Sequence, residues 1–274
     1  MTDFSEVQKK AQDIRIDIIE MIHAAGSGHP GGSLSCADIL ATLYFGNILT
    51  YDASNPSLED RDRFILCKGH AAPALYATLA EAGYFEKEEL NTLRKLGSHL
   101  QGHPDMHKCP GVEVSTGSLG QGLSIACGMA KGLKLQDKDT CVFALLGDGE
   151  CQEGQVWEAA MFANHFHLDN LVAIIDNNGL QIDGKVDDVM TLGDLSAKFS
   201  AFGWHAETCD GHNYSDLHEH LAHLKALHTN QPKCLICKTV KGKGVSFMEN
   251  EAGWHGKAPN DEQYMQAINE LKAE

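Results

Sequence analysis

The 274-residue sequence has no apolar run near the roughly 18 residues that a membrane-spanning helix requires, so no such helix is expected. It lacks a basic, apolar, small-residue leader at its start, which predicts a chain that is not secreted. Positive charge is scarce. Lys and Arg number 22 against 38 Asp and Glu, and the formal net charge of -16 repels phosphate backbones. That argues against a nucleic-acid partner unless a local basic patch overrides it, and the longest such patch is Lys241-Gly242-Lys243. No internal repeat, low-complexity tract or linker stands out, so one domain over residues 1–274 is expected. The nine cysteines are odd in number and follow no disulfide-framework spacing, which predicts a soluble protein of the reducing cytoplasm. Cys234-Leu235-Ile236-Cys237 has the CxxC spacing, but it lies within an apolar stretch without a second CxxC or a following helix start. A buried, structural strand is the expectation there.

What is present reads as alternating helix and strand. Apolar residues make up 43% of the chain, ample for a core. Ile14, Ile18, Ile19 and Ile22 recur at helical spacing and predict a helix over 4–25, ended by Gly26-Ser27-Gly28. A loop is expected at His29-Pro30-Gly31-Gly32, and helices over 36–48, 71–82, 87–95 and 119–135. From residue 140 the rhythm changes. Short apolar runs at 141–146 and 171–175, with a helix between them, predict a βαβ unit. Further strands are expected at 204–208 and 234–240, separated by a helix over 214–229. The fold class predicted is α/β, a mostly parallel sheet flanked by helices on both faces. The segment after Asn250 is expected to reach outward.

In open parallel sheets, ligands bind where the carboxyl ends of strands meet loops and helix starts. Gly147-Asp148-Gly149 and Asp176-Asn177-Asn178 both fall at such ends, and neighbouring strands would bring them together. Magnesium requires oxygen ligands, which Asp148 and the Asn178 side chain can offer alongside a backbone carbonyl, phosphates and water. Glycines 147 and 149 admit close approach of a phosphate, and the helix starting near Gln152-Glu153 presents free N–H groups to it. Gly-Asp-Gly by itself fits a structural turn equally well. Of the 15 histidines, His29, His70, His103 and His255 sit in Gly- or Pro-containing loops. With an ordinary pKa of about 6.5, they can exchange protons near neutrality. A loop histidine is more often structural or solvent-facing. His165, His167, His218, His220, His223 and His228 receive that plainer reading, because their predicted helices carry neither HExxH nor a clear third ligand. Glu153 and Glu158, on the helix after Gly149, read locally as solvated helix residues.

The whole arrangement, from Gly-Asp-Gly through helix and strand to Asn-Asn, resembles the diphosphate-binding signature of thiamine-dependent enzymes. Ser27-Gly28-His29-Pro30-Gly31, Lys68-Gly69-His70-Ala71, Gly102-His103-Pro104-Asp105, Thr116-Gly117-Ser118-Leu119-Gly120-Gln121-Gly122, Cys151-Gln152-Glu153-Gly154 and Trp254-His255-Gly256 resemble transketolase motifs, in transketolase order. The likeness covers nearly the whole chain and is to the N-terminal, diphosphate-binding domain.

It implies that Asp148, Asn178 and the Leu180 carbonyl hold magnesium, with calcium or manganese as substitutes. Gly149, Glu150, Asn178, His70 and His255 would serve thiamine diphosphate, and Gly117, Ser118 and Leu119 would meet its aminopyrimidine through backbone groups. His29, His103 and His255 would act on the sugar as catalytic residues. Glu153, and more weakly Glu158, would connect paired active sites at a subunit interface. Ser118 stands where the family commonly has proline, and the loop from Lys241 to His255 is an unusual version, which bears on His255.

The resemblance also implies a two-carbon ketol transfer from a ketose phosphate to an aldose phosphate. The activating glutamate and pyrimidine-binding domain would belong to a C-terminal transketolase subunit, in an α2β2 assembly. Two alternatives stand beside it: half of a 1-deoxyxylulose-5-phosphate synthase or 2-oxo acid dehydrogenase, and a non-catalytic binding module.

Overall fold

The computed structural model describes residues 4–273; the ends of the expected domain, residues 1–3 and 274, lie outside the described residues, as does the start of the leader reading. In chain order the strands are β1 (Arg63–Leu66), β2 (Val142–Gly147), β3 (Leu171–Asn177), the short antiparallel pair β4 (Leu180–Gln181) and β5 (Gly184–Lys185), β6 (His205–Asp210) and β7 (Lys233–Lys238). The helices are α1 (Ser5–Ala25), α2 (Pro30–Ser35), α3 (Ala37–Phe45), α4 (Ala72–Glu81), α5 (Gln121–Leu135), α6 (Gly154–His165), α7 (Val186–Met190), α8 (Leu195–Ala201), α9 (Tyr214–Ala226) and α10 (Asp261–Ala273).

Five strands form one sheet in the order β1-β2-β3-β7-β6, with every neighbouring pair parallel. Successive side chains of a strand point to opposite faces, and here both faces are buried. Phe64, Leu66, Phe143, Leu145, Val172, Ile174 and Leu235 join the core beneath α1, α3, α4, α9 and α10. Ile65, Val142, Ala144, Leu146, Ala173, Ile175 and Ile236 join the core beneath α5, α6 and α8. Two covered faces are why β2 and β3 read as unbroken apolar runs. The predicted mostly parallel sheet between helices is therefore the observed fold. No helix among the described residues is long and apolar enough to cross a membrane.

Four local expectations need correction. The stretch expected as a loop at His29-Pro30-Gly31-Gly32 enters helix α2, which Pro30 starts at the position where a fixed φ and a missing N–H are tolerated. Its glycines are poor helix formers, and complete burial of α2 supplies what propensity does not. The helix expected over 36–48 is the shorter α3, and that over 87–95 is a 3-10 turn, Lys87–Thr92, closed by a reciprocal capping box between Glu86 and Glu89. The segment after Asn250 folds back instead of reaching outward: Trp254 is buried, and Ala267, Ile268 and Leu271 of α10 complete the core alongside α1.

Cys234 and Cys237 are buried and free, and they contribute to different cores because positions three apart on a strand face opposite ways. The thiol neighbouring Cys237 is Cys209 on β6, 3.6 Å away.

Candidate active site at the carboxyl edge of the sheet

Strand register gathers the site. Gly147 at the end of β2 pairs with Asp176 in β3, so Asp148 and Asn178 follow from adjacent strand ends. Lys68 follows β1, and Thr239 through Lys241 follow β7. Gly147, Asp148, Asn178, Lys68 and Lys241, together with Gly32, His70, Leu119, Glu153, Gln181 and His255, surround a cavity of about 280 Å³. A roomier recess of about 390 Å³ near Thr140, Asn170 and Lys225 contains none of the predicted site residues.

Asp148 is buried and has no cationic side chain on its oxygens. Oδ1 accepts from the Gly149 N–H at 2.7 Å and Oδ2 from the Gly179 N–H at 2.6 Å. Burial, and then the charge of Asp176, push its carboxyl up to about 6. Asn178 Oδ1 accepts from the Leu180 N–H at 3.1 Å, while its amide donates to Asp176 Oδ2 at 3.2 Å. The Leu180 carbonyl accepts from Lys241 Nζ at 3.3 Å. Burial, followed by repulsion from Lys68, lowers that buried ammonium to about 8.

Beneath this layer lies a locked ion pair. Asp176 receives Lys68, Ser35 and Thr239, and Lys68 also donates to the Gly32 carbonyl at 2.7 Å. Burial opposes both charges, but each partner outweighs it: Lys68 is held above its ordinary range and Asp176 below. Glu150 is a second strap. Its oxygens accept from the Gly120 N–H at 3.0 Å and the Gly147 N–H at 3.1 Å, tying the start of α5 to the end of β2. Burial pushes this carboxyl up to about 7. Gly120 is required there, since φ is +84° and an added Cβ would meet Glu153 Cβ at 2.7 Å.

The four loop histidines come together from distant parts of the chain. Ring centroids lie 5.3 Å apart for His29 and His70, 5.5 Å for His29 and His255, 5.0 Å for His70 and His255, and 6.3 Å for His29 and His103. Burial, followed by neighbouring positive groups, lowers all four: His29 and His255 fall to about 4, His70 well below its usual range, and His103 in the same direction. They are neutral rings at pH 7. His255 Nδ1 accepts a hydrogen bond from Lys241 Nζ at 2.9 Å, and His29 Nδ1 is buried without a hydrogen-bond partner.

The remaining predicted residues take different places. Leu119 borders the cavity, Ser118 is exposed, and Gly117 lies against the His103 ring, where an added Cβ would come within 3.0 Å. Glu153 is exposed on the cavity rim, whereas Glu158 is exposed on α6 away from it. Lys68, Asp176, Gln181 and Lys241 were not assigned from sequence. Lys68 and Asp176 stand inside recognised motifs, so position in the motif was a usable signal. In the sequence, Lys241 reads only as part of a short basic patch. Gln181 carries no local signal; its side-chain oxygen is buried without a partner beside Gly149.

The donor set suits a hard cation with an anionic ligand. An ionised, buried carboxylate without a cation, a neighbouring amide oxygen and a carbonyl facing an ammonium form one wall. Gln181, whose side-chain oxygen is buried without a partner, lines this ligand-sized space together with the imidazoles of His70 and His255.

Comparison with known proteins agrees with this geometry. The family model for the transketolase thiamine diphosphate binding domain matches residues 7–273. The 6-deoxy-6-sulfo-D-fructose transketolase subunit SqwG of Clostridium sp. (strain MSTE9) is 42% identical over 269 residues, covering 98% of this chain and 97% of that protein. An apulose-4-phosphate transketolase subunit of Phocaeicola vulgatus is 42% identical over 266 residues, covering 97% of this chain and 93% of that protein. The transketolase structure from Campylobacter jejuni superposes with a TM-score of 0.92 at 32% identity, covering 99% of this chain and 43% of that one. These relatives favour the transketolase reading over the decarboxylase and non-catalytic alternatives. The chain belongs to the transketolase family, as its thiamine diphosphate-binding domain.

Proposed function

We propose that this chain is the diphosphate-binding subunit of a two-chain transketolase, moving a two-carbon ketol unit from a ketose phosphate to an aldose phosphate. The observation that carries the reading is the meeting, in one cavity, of the uncompensated Asp148 carboxylate with His70 and His255, against which the His29 ring packs and, beyond it, His103. Asp148, Asn178 and the Leu180 carbonyl hold magnesium. Gly149, Asn178, His70 and Lys241 serve the diphosphate. Backbone groups of Gly117, Ser118 and Leu119 face the aminopyrimidine, and Glu150 holds their loop in register. When bound, thiamine diphosphate supplies an acidic thiazolium carbon that can accept the ketol unit.

His29, His103 and His255 orient sugar hydroxyls and exchange protons with them. Their depressed proton affinity keeps a lone pair available to each hydroxyl at neutral pH. Glu153, on the rim, links this site to its counterpart across a subunit interface. The partner contributes the pyrimidine-binding domain in an α2β2 particle of the cytoplasm. Near-complete coverage of relatives named as transketolase subunits supports a separate partner chain. Mixing the chain with the product of its neighbouring reading frame, magnesium and thiamine diphosphate should restore ketol transfer. No gain over the separate chains would sink the two-chain proposal.

A further inference from the structure

A second cluster of ligand-type side chains lies far from this cavity, on edge strand β6 and the facing side of α9. His205 and Glu207 are two apart on the strand and share a face, while His220 and His223 are three apart on the helix and share a face. Strand and helix bring those faces together. His205 Nε2 lies 2.7 Å and His223 Nδ1 3.0 Å from the same oxygen, Glu207 Oε1. His220 Nδ1 meets the other oxygen, Oε2, and its Nε2 lies 3.5 Å from Asp216 Oδ1.

We propose that His205, Glu207 and His223 form a zinc site. Two imidazole nitrogens and a carboxylate oxygen suit a borderline cation such as zinc better than magnesium or calcium. In tetrahedral zinc with bonds of about 2.0–2.1 Å, ligand atoms stand roughly 3.3 Å apart. To reach the separation of about 3.3 Å set by those bonds, the nitrogen–oxygen distances of 2.7 and 3.0 Å need to open by about 0.6 and 0.3 Å, and all three ligand atoms already lie within 4.8 Å of one another.

Glu207 presents an anion: burial opposes its charge, but hydrogen bonds from His220 and His205 hold it below the usual carboxylate range. His220, anchored between Glu207 and Asp216, is a positioning residue that fixes the ligand carboxylate from behind, as outer partners of metal sites commonly do. The His223 side chain is 53% exposed, so the fourth position opens to water. His205 begins β6, whereas the cofactor cavity gathers at the opposite, carboxyl ends of the strands. Zinc here would clamp the sheet's open edge strand to α9.

The test is equilibrium dialysis of the full chain against buffered zinc chloride, saturated with magnesium, paired with the visible spectrum of the cobalt-substituted protein. One zinc per chain and a tetrahedral cobalt spectrum are expected. His205→Ala and His223→Ala should each abolish both signals. His220→Ala should weaken binding by about 10–100-fold. His165→Ala should bind as wild type, and so should Asp148→Asn, which separates this site from the cofactor cavity. Near-UV circular dichroism checks that each variant is folded. Equal zinc uptake by wild type and the folded His205→Ala/His223→Ala double variant would overturn the proposal, as would a wild-type chain without bound zinc.

Discussion

Two buried carboxylates, Asp38 and Asp148, show opposite ways of keeping a charge inside this protein. Asp38 receives four donors: Arg15 bridges both oxygens at 2.9 and 2.6 Å, Tyr214 donates at 2.7 Å, and His212 lies at 2.6 Å. Burial opposes its charge, yet Arg15 and His212 hold it well below the usual carboxylate range. Asp148 receives two backbone N–H groups and is pushed up to about 6. The first cluster is closed and architectural, pinning α1, α3 and the start of α9 together; His212 Nε2 also accepts from Val240 N–H at 2.8 Å, steadying the loop that carries Lys241. The second is open on the side facing the cavity. A buried charge without its counter-charge is a mark of a binding site.

Breaking each cluster should separate stability from function. Asp38→Ala strands Arg15 in the core and should cost about 3–5 kcal/mol, measured by denaturant midpoint. Cofactor affinity of whatever remains folded should stay near wild type. Asp148→Asn should do the reverse, weakening magnesium-dependent thiamine diphosphate binding in the reconstituted enzyme by about 100-fold or more, since even outer-shell substitutions at metal sites reach that range. A stability loss like that of Asp38→Ala, with affinity kept, would erase the distinction.

A smaller effect sharpens the comparison through pH. The folded pKa of Asp148 lies above its unfolded value, so its favourable contribution is full below the unfolded pKa and disappears as pH rises through about 6. Between pH 7 and pH 5, wild type without cofactor should therefore gain about 1 kcal/mol relative to Asp148→Asn, which does not titrate. Parallel pH curves for the two would contradict an elevated Asp148. The smallest stability change is expected for exposed Glu153→Gln, within about 0.5 kcal/mol of wild type. Turnover of the assembled enzyme should nonetheless fall, and unchanged turnover together with unchanged assembly removes Glu153 from the interface role.

The legible parts of the chain are those where local pattern and tertiary role coincide. β2 and β3 declare themselves because both faces are buried and each ends abruptly in Gly, Asp and Asn, so the Asp148 and Asn178 wall can be located from the residues alone. Helix α2 was hidden because Pro30, Gly31 and Gly32 signal a loop locally, while burial decides the outcome. The return of α10 onto α1 depends on contacts between residues far apart in the chain, such as Gln12 Nε2 donating to the Leu271 carbonyl, and leaves no local trace. For the same reason, His220 and His223 look like two solvated helix residues until β6 brings Glu207 and His205 beside them. Asp176 sits inside β3, and its partners Lys68, Ser35 and Thr239, brought in from elsewhere in the chain, reveal why a carboxylate occupies a strand core.

The most direct measurement is thiamine diphosphate binding to the reconstituted two-chain enzyme, titrated calorimetrically with magnesium and again with magnesium chelated. Binding that requires the metal, is lost in Asp148→Asn and survives in folded Asp38→Asn is the predicted result. Binding indifferent to both magnesium and Asp148 would contradict the assignment of the open carboxylate as the cofactor's metal anchor.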